Sequence, residues 1–269
     1  MFNVNSLNRY QRIALLYGIM AGDGCLSLCT NKKGKTCHFI SISGNYYDDK
    51  PFFNEVVLPL VNSLRSNKVD VKFRERPKYG KIEINFIDRE LFELIHSYGF
   101  PVGKKGQNLL ISSLFYRKNL IRYIMQGFMA TDGSLVLTKN PNKFYPRVEA
   151  MVIHKEFLKQ VYDYLISMGL KGAYYKRKSK TGYGWKTGQD QYRFQFNGKG
   201  NLLLFEKLVG FINPKQRAKF NNFLNYDIGY DYIIKDKTSL QKRVLKNDFN
   251  IDFIRKMATP RVELGTSCS

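Results

Sequence analysis

One eleven-residue segment of this chain occurs twice. Gly18-Ile19-Met20-Ala21-Gly22-Asp23-Gly24-Cys25-Leu26-Ser27-Leu28 lies over Gly127-Phe128-Met129-Ala130-Thr131-Asp132-Gly133-Ser134-Leu135-Val136-Leu137 at an offset of 109, with seven of eleven positions identical. Self-similarity of this kind constrains the fold more than any local propensity. A period this long is not a solenoid repeat. Two copies in 269 residues mean a duplicated domain.

The pattern continues beyond the matched segment. After each Asp-Gly comes an alternating stretch, a basic loop and a second alternating stretch. In the first copy these are Cys25–Thr30, Asn31–Thr36 and Cys37–Ser43; in the second they are Ser134–Thr138, Lys139–Pro146 and Arg147–Ile153. Each set reads as a β-hairpin. Helical periodicity follows over Lys50–Ser66 and Lys155–Met168. Then come second basic hairpins, Val69–Ile87 and Gly172–Asn197, and further helices, Arg89–Tyr98 and Asn201–Val209. Both copies next reach Gly-Phe, at Gly99-Phe100 and Gly210-Phe211, with a lysine (Lys104, Lys215) five residues after the glycine. The expected order is αββαββα, twice, in an α+β fold. The segment Tyr116–Arg122 is the natural junction, so the halves are drawn as residues 1–115 and 116–235. Residues 236–269 form a C-terminal extension, partly helical or disordered, in which Asn250–Met257 has helical character and Thr259–Ser269 has none.

Charge narrows the partner. Lys plus Arg number 44 against 22 Asp plus Glu, a formal net charge of +22. Self-repulsion of that size destabilises a fold unless a polyanion offsets it. A basic amphipathic helix would favour an anionic membrane surface. Here the basic residues alternate with aromatics and β-formers, as in Lys72-Phe73-Arg74-Glu75-Arg76 and Tyr174-Tyr175-Lys176-Arg177-Lys178. That arrangement favours nucleic acid gripped by strands. No apolar run is long enough to span a membrane. The four cysteines, Cys25, Cys29, Cys37 and Cys268, do not amount to a disulfide scaffold and fit a reducing compartment, either prokaryotic cytoplasm or an organelle matrix. Cys25, Cys29 and Cys37 lack a fourth matched zinc ligand, and strand alternation puts His38 on the face opposite Cys37.

The helix ends carry the chemistry. Small residues recur every fourth position: Ala14, Gly18 and Gly22 in one copy, Gly127 and Thr131 in the other. A glycine inside a helix costs about 1 kcal/mol against alanine. It lets two backbones approach closely, so the two helices are expected to pack on each other. Ile13, Leu16, Ile19 and Met20, with Ile121, Phe128 and Met129, would bury against each half's own sheet. Gly24 and Gly133 are expected to make left-handed turns at the helix ends. Asp23 and Asp132 are oddly placed, because a carboxylate is disfavoured at the negative end of a helix dipole. If the helices pair, the two acids also face each other and need a compensating cation. Oxygen ligands of this kind suit Mg²⁺, and paired Mg²⁺ ions serve phosphoryl transfer.

Leu16-Tyr17-Gly18-Ile19-Met20-Ala21-Gly22-Asp23-Gly24 and Met125-Gln126-Gly127-Phe128-Met129-Ala130-Thr131-Asp132-Gly133 resemble the two motifs of the LAGLIDADG homing endonucleases. With the flanking elements, the resemblance covers roughly residues 10–230. Alanine (Ala21, Ala130) stands where the motif's name has its first Asp. The resemblance implies a monomer with pseudo-twofold symmetry, the motif helices at the interface and a curved antiparallel sheet from each half in the DNA major groove. It implies that Asp23 and Asp132, with the backbone carbonyls of Gly22 and Thr131, hold a divalent cation, Mg²⁺ or Mn²⁺ or Ca²⁺ in its place, over the scissile phosphates. A staggered double-strand break would follow. Strands of about ten residues reach about 33 Å; two such sheets end to end cover about 20 base pairs. Major-groove edges distinguish all four base pairs.

Further candidates take lesser roles. Lys104 and Lys215 match lysines that similar enzymes hold near the attacking water, and Lys105 is adjacent and can substitute for Lys104. Asn45 and His154 each lie 22 residues after the acid, where relatives place polar groups of the water network. Glu83, Asn85, Gln195 and Asn197 occupy alternate positions of matching strands. Candidate base readers and phosphate clamps are Lys32, Lys33, Lys35, Lys72, Arg74, Arg76, Lys78 and Lys81 in the first half. In the second they are Lys139, Lys143, Arg147, Lys176, Arg177, Lys178, Lys180, Lys186 and Arg193, with Tyr183 and Trp185 in the same loop.

The expected activity is therefore site-specific, Mg²⁺-dependent double-strand DNA cleavage by an intron-encoded enzyme acting on a long asymmetric site. The alternative is an intron maturase, an RNA-binding splicing factor on the same scaffold; a catalytically silent transcription regulator is a third reading. The chain opens at Met1 without recognisable splicing modules, so an intein-borne nuclease is not the expectation.

Overall fold

The computed structural model describes residues 2–30, 33–65, 69–140, 143–178 and 189–228. Helix α1 (Arg9–Asp23) starts at a capping box: the Asn8 side chain accepts from the Gln11 amide, and the Gln11 side chain accepts from the Asn8 amide. It runs directly into β1 (Gly24–Thr30), which turns back as β2 (Thr36–Asn45). Then come α2 (Tyr46–Phe52), a π-helical turn (Phe53–Val57) and α3 (Leu58–Leu64). Strands β3 (Arg74–Arg76) and β4 (Lys81–Ile87) and helix α4 (Arg89–Ser97) complete the first αββαββα unit.

The short helix α5 (Ser113–Arg117) leads to α6 (Ile121–Thr131), β5 (Gly133–Asn140), β6 (Lys143–Val152) and α7 (Lys155–Ser167). Strands β7 (Gly172–Lys178) and β8 (Asp190–Asn197) follow, then α8 (Lys199–Leu208) and α9 (Pro214–Ile228). Each half forms one four-stranded antiparallel sheet in the same order, β1-β2-β4-β3 and β5-β6-β8-β7. The helices pack on one face of each sheet, and α1 lies against α6 between the halves.

Alternation settles the faces of each sheet. In β4, Ile82, Ile84 and Phe86 are buried, so Lys81, Glu83, Asn85 and Ile87 share the outer face. In β8, Phe194 and Phe196 are buried, so Arg193, Gln195 and Asn197 face outward. Among the described residues, no helix is long and apolar enough to cross a membrane.

Several sequence expectations need correction. The helix expected over Lys50–Ser66 begins earlier, at Tyr46, and is interrupted by the π-turn. Pro51 and Pro59 flank that turn; neither can donate an i→i−4 bond, and the widened turn accommodates the loss. The segment Lys139–Pro146, expected as loop, is strand on both sides of residues 141–142. Pro146 fits in β6 because its carbonyl accepts from Gly198 on the β8 side. Its missing N–H therefore points where β8 has ended and costs the β5 ladder nothing. The junction Tyr116–Arg122 spans the end of α5 and the start of α6. Helix α9 was not anticipated. The C-terminal stretch from residue 229 lies outside the described residues.

Candidate active site

Helices α1 and α6 touch backbone to backbone. A Cβ placed on Gly18 would lie 2.0 Å from the Ile124 carbonyl oxygen, and one on Gly127 would lie 2.3 Å from the Leu15 carbonyl oxygen. One on Gly22 would lie 2.1 Å from Thr131 Oγ1 and 3.3 Å from Asp132 Cγ. The Thr131 hydroxyl is tucked in by donating to the Phe128 carbonyl at 2.9 Å. Side chains of any size at these points would push the helices apart, so the glycines bring the two helix ends together.

Gly24 and Gly133 do a different job from the one expected. Gly24 has φ −98° and ψ 164°, extended rather than left-handed, and neither glycine has positive φ. They are small because the strand leaves the helix at once. A Cβ on Gly24 would lie 2.5 Å from Met20 Cα, and one on Gly133 would lie 2.5 Å from the Met129 carbonyl oxygen.

Asp23 and Asp132 therefore stand side by side at two helix C-termini. Burial raises the Asp23 carboxyl to about 7; Asp132 and Asp49 push it the same way, and Lys105 opposes them. Burial raises Asp132 as well, again opposed by Lys105. Burial of two neighbouring carboxyls, with Asp132 acting on Asp23, disfavours their charged forms unless a cation compensates. Two adjacent carboxylates are oxygen donors of the kind a hard divalent cation takes, its shell completed by water or phosphate oxygens; the Gly22 carbonyl at the end of α1 accepts from Lys105. Among the described residues, no group of three or more His, Cys, Asp and Glu side chains is placed to hold a metal. That includes the cysteines: Cys29 faces Cys37 across the β1–β2 pair, and both are free thiols.

The lysine whose charge acts on both acids is Lys105. Its ammonium donates to the carbonyls of Met20 (3.2 Å), Ala21 (2.8 Å) and Gly22. It thus caps the last turn of α1 and neutralises the dipole there. Burial lowers its pKa, with Asp132 and Asp23 opposing. Lys104, matched to Lys215 by spacing, is exposed. Lys215 forms an ion pair with Asp48 at 2.7 Å, reaching toward the first half.

In the second half neutral amides take the capping role. Asn213 Nδ2 donates to the Ala130 carbonyl (2.8 Å), and Gln216 Nε2 donates to those of Met129 (2.6 Å) and Gly133 (2.8 Å). Sequence reasoning missed both residues. The Asn-Pro at 213–214 is a helix-start signal that marks the position, but nothing local shows where the side chains point. It also missed Asp49, whose carboxyl is raised by burial and accepts from the Asn45 amide at 2.8 Å.

Asn45 and His154 occupy matched cap positions. Asn45 Oδ1 accepts from the amides of Tyr47 (2.9 Å) and Asp48 (3.2 Å), starting α2. His154 precedes α7; its Nδ1 bonds the Gly106 carbonyl, beside Lys105. Burial lowers its pKa; the Gly106 bond opposes this and Lys105 adds to it.

The basic candidates divide by face. Arg74, Arg76 and Lys81 share the outer face of the first sheet with Glu83, which ion-pairs Arg76 (3.0 Å) and Lys81 (2.6 Å). Glu83 is held below the ordinary carboxylate value, chiefly by Lys81. In the second sheet Arg147 and Arg193 converge on Glu149. Lys176 pairs across the strands with Tyr192 and bridges to Asp190 (2.6 Å), on the face opposite Arg177; alternation puts Lys178 with Lys176. Lys33 and Lys35 are exposed in the β1–β2 turn, and Lys72 and Lys78 flank β3. Lys139 and Lys143 lie in β5 and β6. Lys32, Lys180 and Lys186, with Tyr183 and Trp185, lie outside the described residues.

No family profile matches the chain. A curated relative, a probable translation initiation factor IF-2 of Methanocaldococcus jannaschii, is 23% identical over 258 residues, which is 93% of this chain and 20% of that protein. The chain thus spans about a fifth of the relative's length. Solved structures match more fully. An I-DmoI variant with nicked target DNA and manganese has a TM-score of 0.55 at 14% identity, over 76% of this chain and 97% of that one. I-DmoI in complex with DNA and calcium gives 0.54 at 12%, over 78% and 98%. The LAGLIDADG meganuclease I-AabMI, bound to uncleaved DNA, gives 0.50 at 14%, over 91% and 100%. With its glycine-packed motif helices and two sheets of identical strand order, the chain has the two-motif LAGLIDADG homing endonuclease fold.

Proposed function

We propose that this protein is a site-specific, Mg²⁺-dependent double-strand DNA endonuclease that acts as a monomer on one long site. The observation that carries the reading is the buried pair Asp23 and Asp132, brought together at the C-termini of α1 and α6 between two basic sheets. Such a pair costs stability and has no structural use that a single turn residue would not serve. The DNA-bound state of I-DmoI and I-AabMI in the neighbouring structures supports the choice of partner.

Asp23, Asp132 and the carbonyls of Gly22 and Thr131 would hold the cation. When bound, it supplies charge neutralisation at a scissile phosphate and an acidified water. Lys105 places a positive charge beside both carboxylates, where it stabilises negative charge developing on phosphoryl oxygens. His154 anchors Gly106 and so holds the loop that carries Lys105. The outer sheet faces supply phosphate clamps and base readers.

Host genomic DNA carrying an intron-free allele, digested with and without Mg²⁺ and sequenced at new ends, tests the reading. A few discrete, metal-dependent double-strand ends are expected. Sequence-selective binding without any cutting would overturn the endonuclease; RNA-dependent splicing assistance that survives loss of both acids would place the chain with the maturases.

A further inference from the structure

The two sheets share one scaffold, yet their outer faces are not chemical copies. Strand register fixes the matching positions. Gly24 pairs with Ile42 and Gly133 with Ala150, so Ser41 corresponds to Glu149 and Phe39 to Arg147. Ser43 pairs with Glu83, and Met151 with Arg193, so Glu83 corresponds to Arg193. At the centre of the outer face, the first half carries a carboxylate where the second carries a guanidinium.

The second-half cluster is built rather than loose. Arg193 Nη2 donates to Glu149 Oε2, and Arg147 Nε ion-pairs the same oxygen. The Arg193 guanidinium also lies over the Tyr175 ring, 5.9 Å from its centre, and the Tyr175 hydroxyl donates to Gln195 Oε1 at 3.2 Å. The side chains of Arg193 and Glu149 are 17% and 16% exposed although they lie on an outward sheet face. A carboxylate on a surface that meets phosphates weakens every binding mode. It earns its place only by what it does to its neighbours. A guanidinium fixed on one edge keeps its remaining donors aimed outward, with side-chain entropy already lost before DNA arrives. A fork of that kind matches guanine O6 and N7 in the major groove.

We infer, on the basis of the endonuclease reading above, that Glu149 is a positioning residue that presents Arg147 and Arg193 as a pre-formed guanine reader in the second sheet. At the matching position of the first sheet Glu83 stands in place of Arg193 and pairs with Arg76 and Lys81 instead, so the two half-sites are not read alike there.

The test is a base-by-base preference profile, by binding and by cleavage, for wild type, Arg193→Ala, Arg193→Lys and Glu149→Gln. Wild type is expected to demand guanine at a base pair in the second half-site and not at its mirror position. Arg193→Ala is expected to weaken the cognate site by about tenfold to a hundredfold and to flatten the preference at that base pair alone, the loss usual for a bidentate contact. Arg193→Lys keeps the charge and is expected to retain non-specific affinity while losing the guanine preference. Glu149→Gln is expected to bind non-cognate DNA more tightly yet discriminate less. A purely structural role would instead lower thermal stability and weaken all sequences alike. That outcome, or an unchanged profile in Arg193→Lys, overturns the inference while leaving the endonuclease intact. Absence of sequence-selective binding in wild type overturns both.

Discussion

At the residue scale, burial holds the Asp23 and Asp132 carboxyls above the ordinary carboxylate value, and Asp132 pushes Asp23 the same way; their place at helix C-termini disfavours the charged form as well. Asp23→Asn and Asp132→Asn are expected to melt at or above the wild-type temperature in metal-free buffer, because each removes an acid whose charged form burial disfavours. Thermal melts check this; a large loss of stability would mean that the acids are structural. Lys105 and Lys104 separate the same way. Lys105→Met removes the cap on α1 and the cation beside the acids, so cleavage is expected to fall by a hundredfold or more, in the range usual for loss of one electrostatic stabiliser. Lys104→Met, at an exposed side chain, is expected to change it little. His154 sets a pH dependence. Burial holds its pKa below the ordinary value in the fold, so below about pH 6.5 the unfolded chain takes up a proton that the folded protein refuses. Its contribution to stability is complete above that pH and falls as pH drops through the folded value. Urea titrations from pH 5 to 7 are expected to show a shallower acid-side loss for His154→Gln than for wild type; parallel curves would contradict it.

At the scale of elements, the contact between α1 and α6 decides whether the halves assemble. Gly18→Ala and Gly127→Ala drive a methyl into the partner's backbone at 2.0 and 2.3 Å. Backbone cannot yield as a side chain tip does, so each is expected to cost about 3 kcal/mol or more, the upper end for overpacking. Urea unfolding measures it, and a change below about 1 kcal/mol would refute the close contact. This contact was legible in the sequence because small residues every fourth position have few other uses. The role of Gly24 and Gly133 was not. Asp-Gly at a helix end looks the same whether glycine supplies a left-handed turn or merely clears room beside Met20 and Met129, and only the tertiary path tells them apart. The difference between Lys104 and Lys105 likewise depends on the tertiary path. Counting from Gly99 and Gly210 matches Lys104 with Lys215, yet the loop turns Lys105 inward, and Asn213 and Gln216 serve as its second-half counterparts. Helix α9 carries weak periodicity; it forms on tertiary contacts, including Lys215 to Asp48 and Arg217 to Glu55.

For the whole molecule, charge and symmetry govern. A chain of +22 that laid its two sheets along DNA, as proposed, would release many counterions. Binding is expected to weaken by about 10³-fold or more between 50 and 200 mM salt, as for proteins making six or more phosphate contacts; a flat salt dependence would remove DNA as the natural partner. The duplicated architecture was readable because the repeat, hairpin and helix patterns all agreed, and such consistency across levels is what specifies a fold. Asymmetry between the halves was not readable: an ammonium caps α1 and amides cap α6, and Glu83 faces outward where Arg193 does in the other sheet. The measurement that bears most directly on the account is cleavage of a plasmid carrying the mapped site by wild type, Asp23→Asn and Asp132→Asn, with binding followed in parallel. The account predicts that both substitutions abolish double-strand breaks and keep affinity within a few fold. Linear product from Asp132→Asn at the wild-type rate would contradict the paired-carboxylate mechanism.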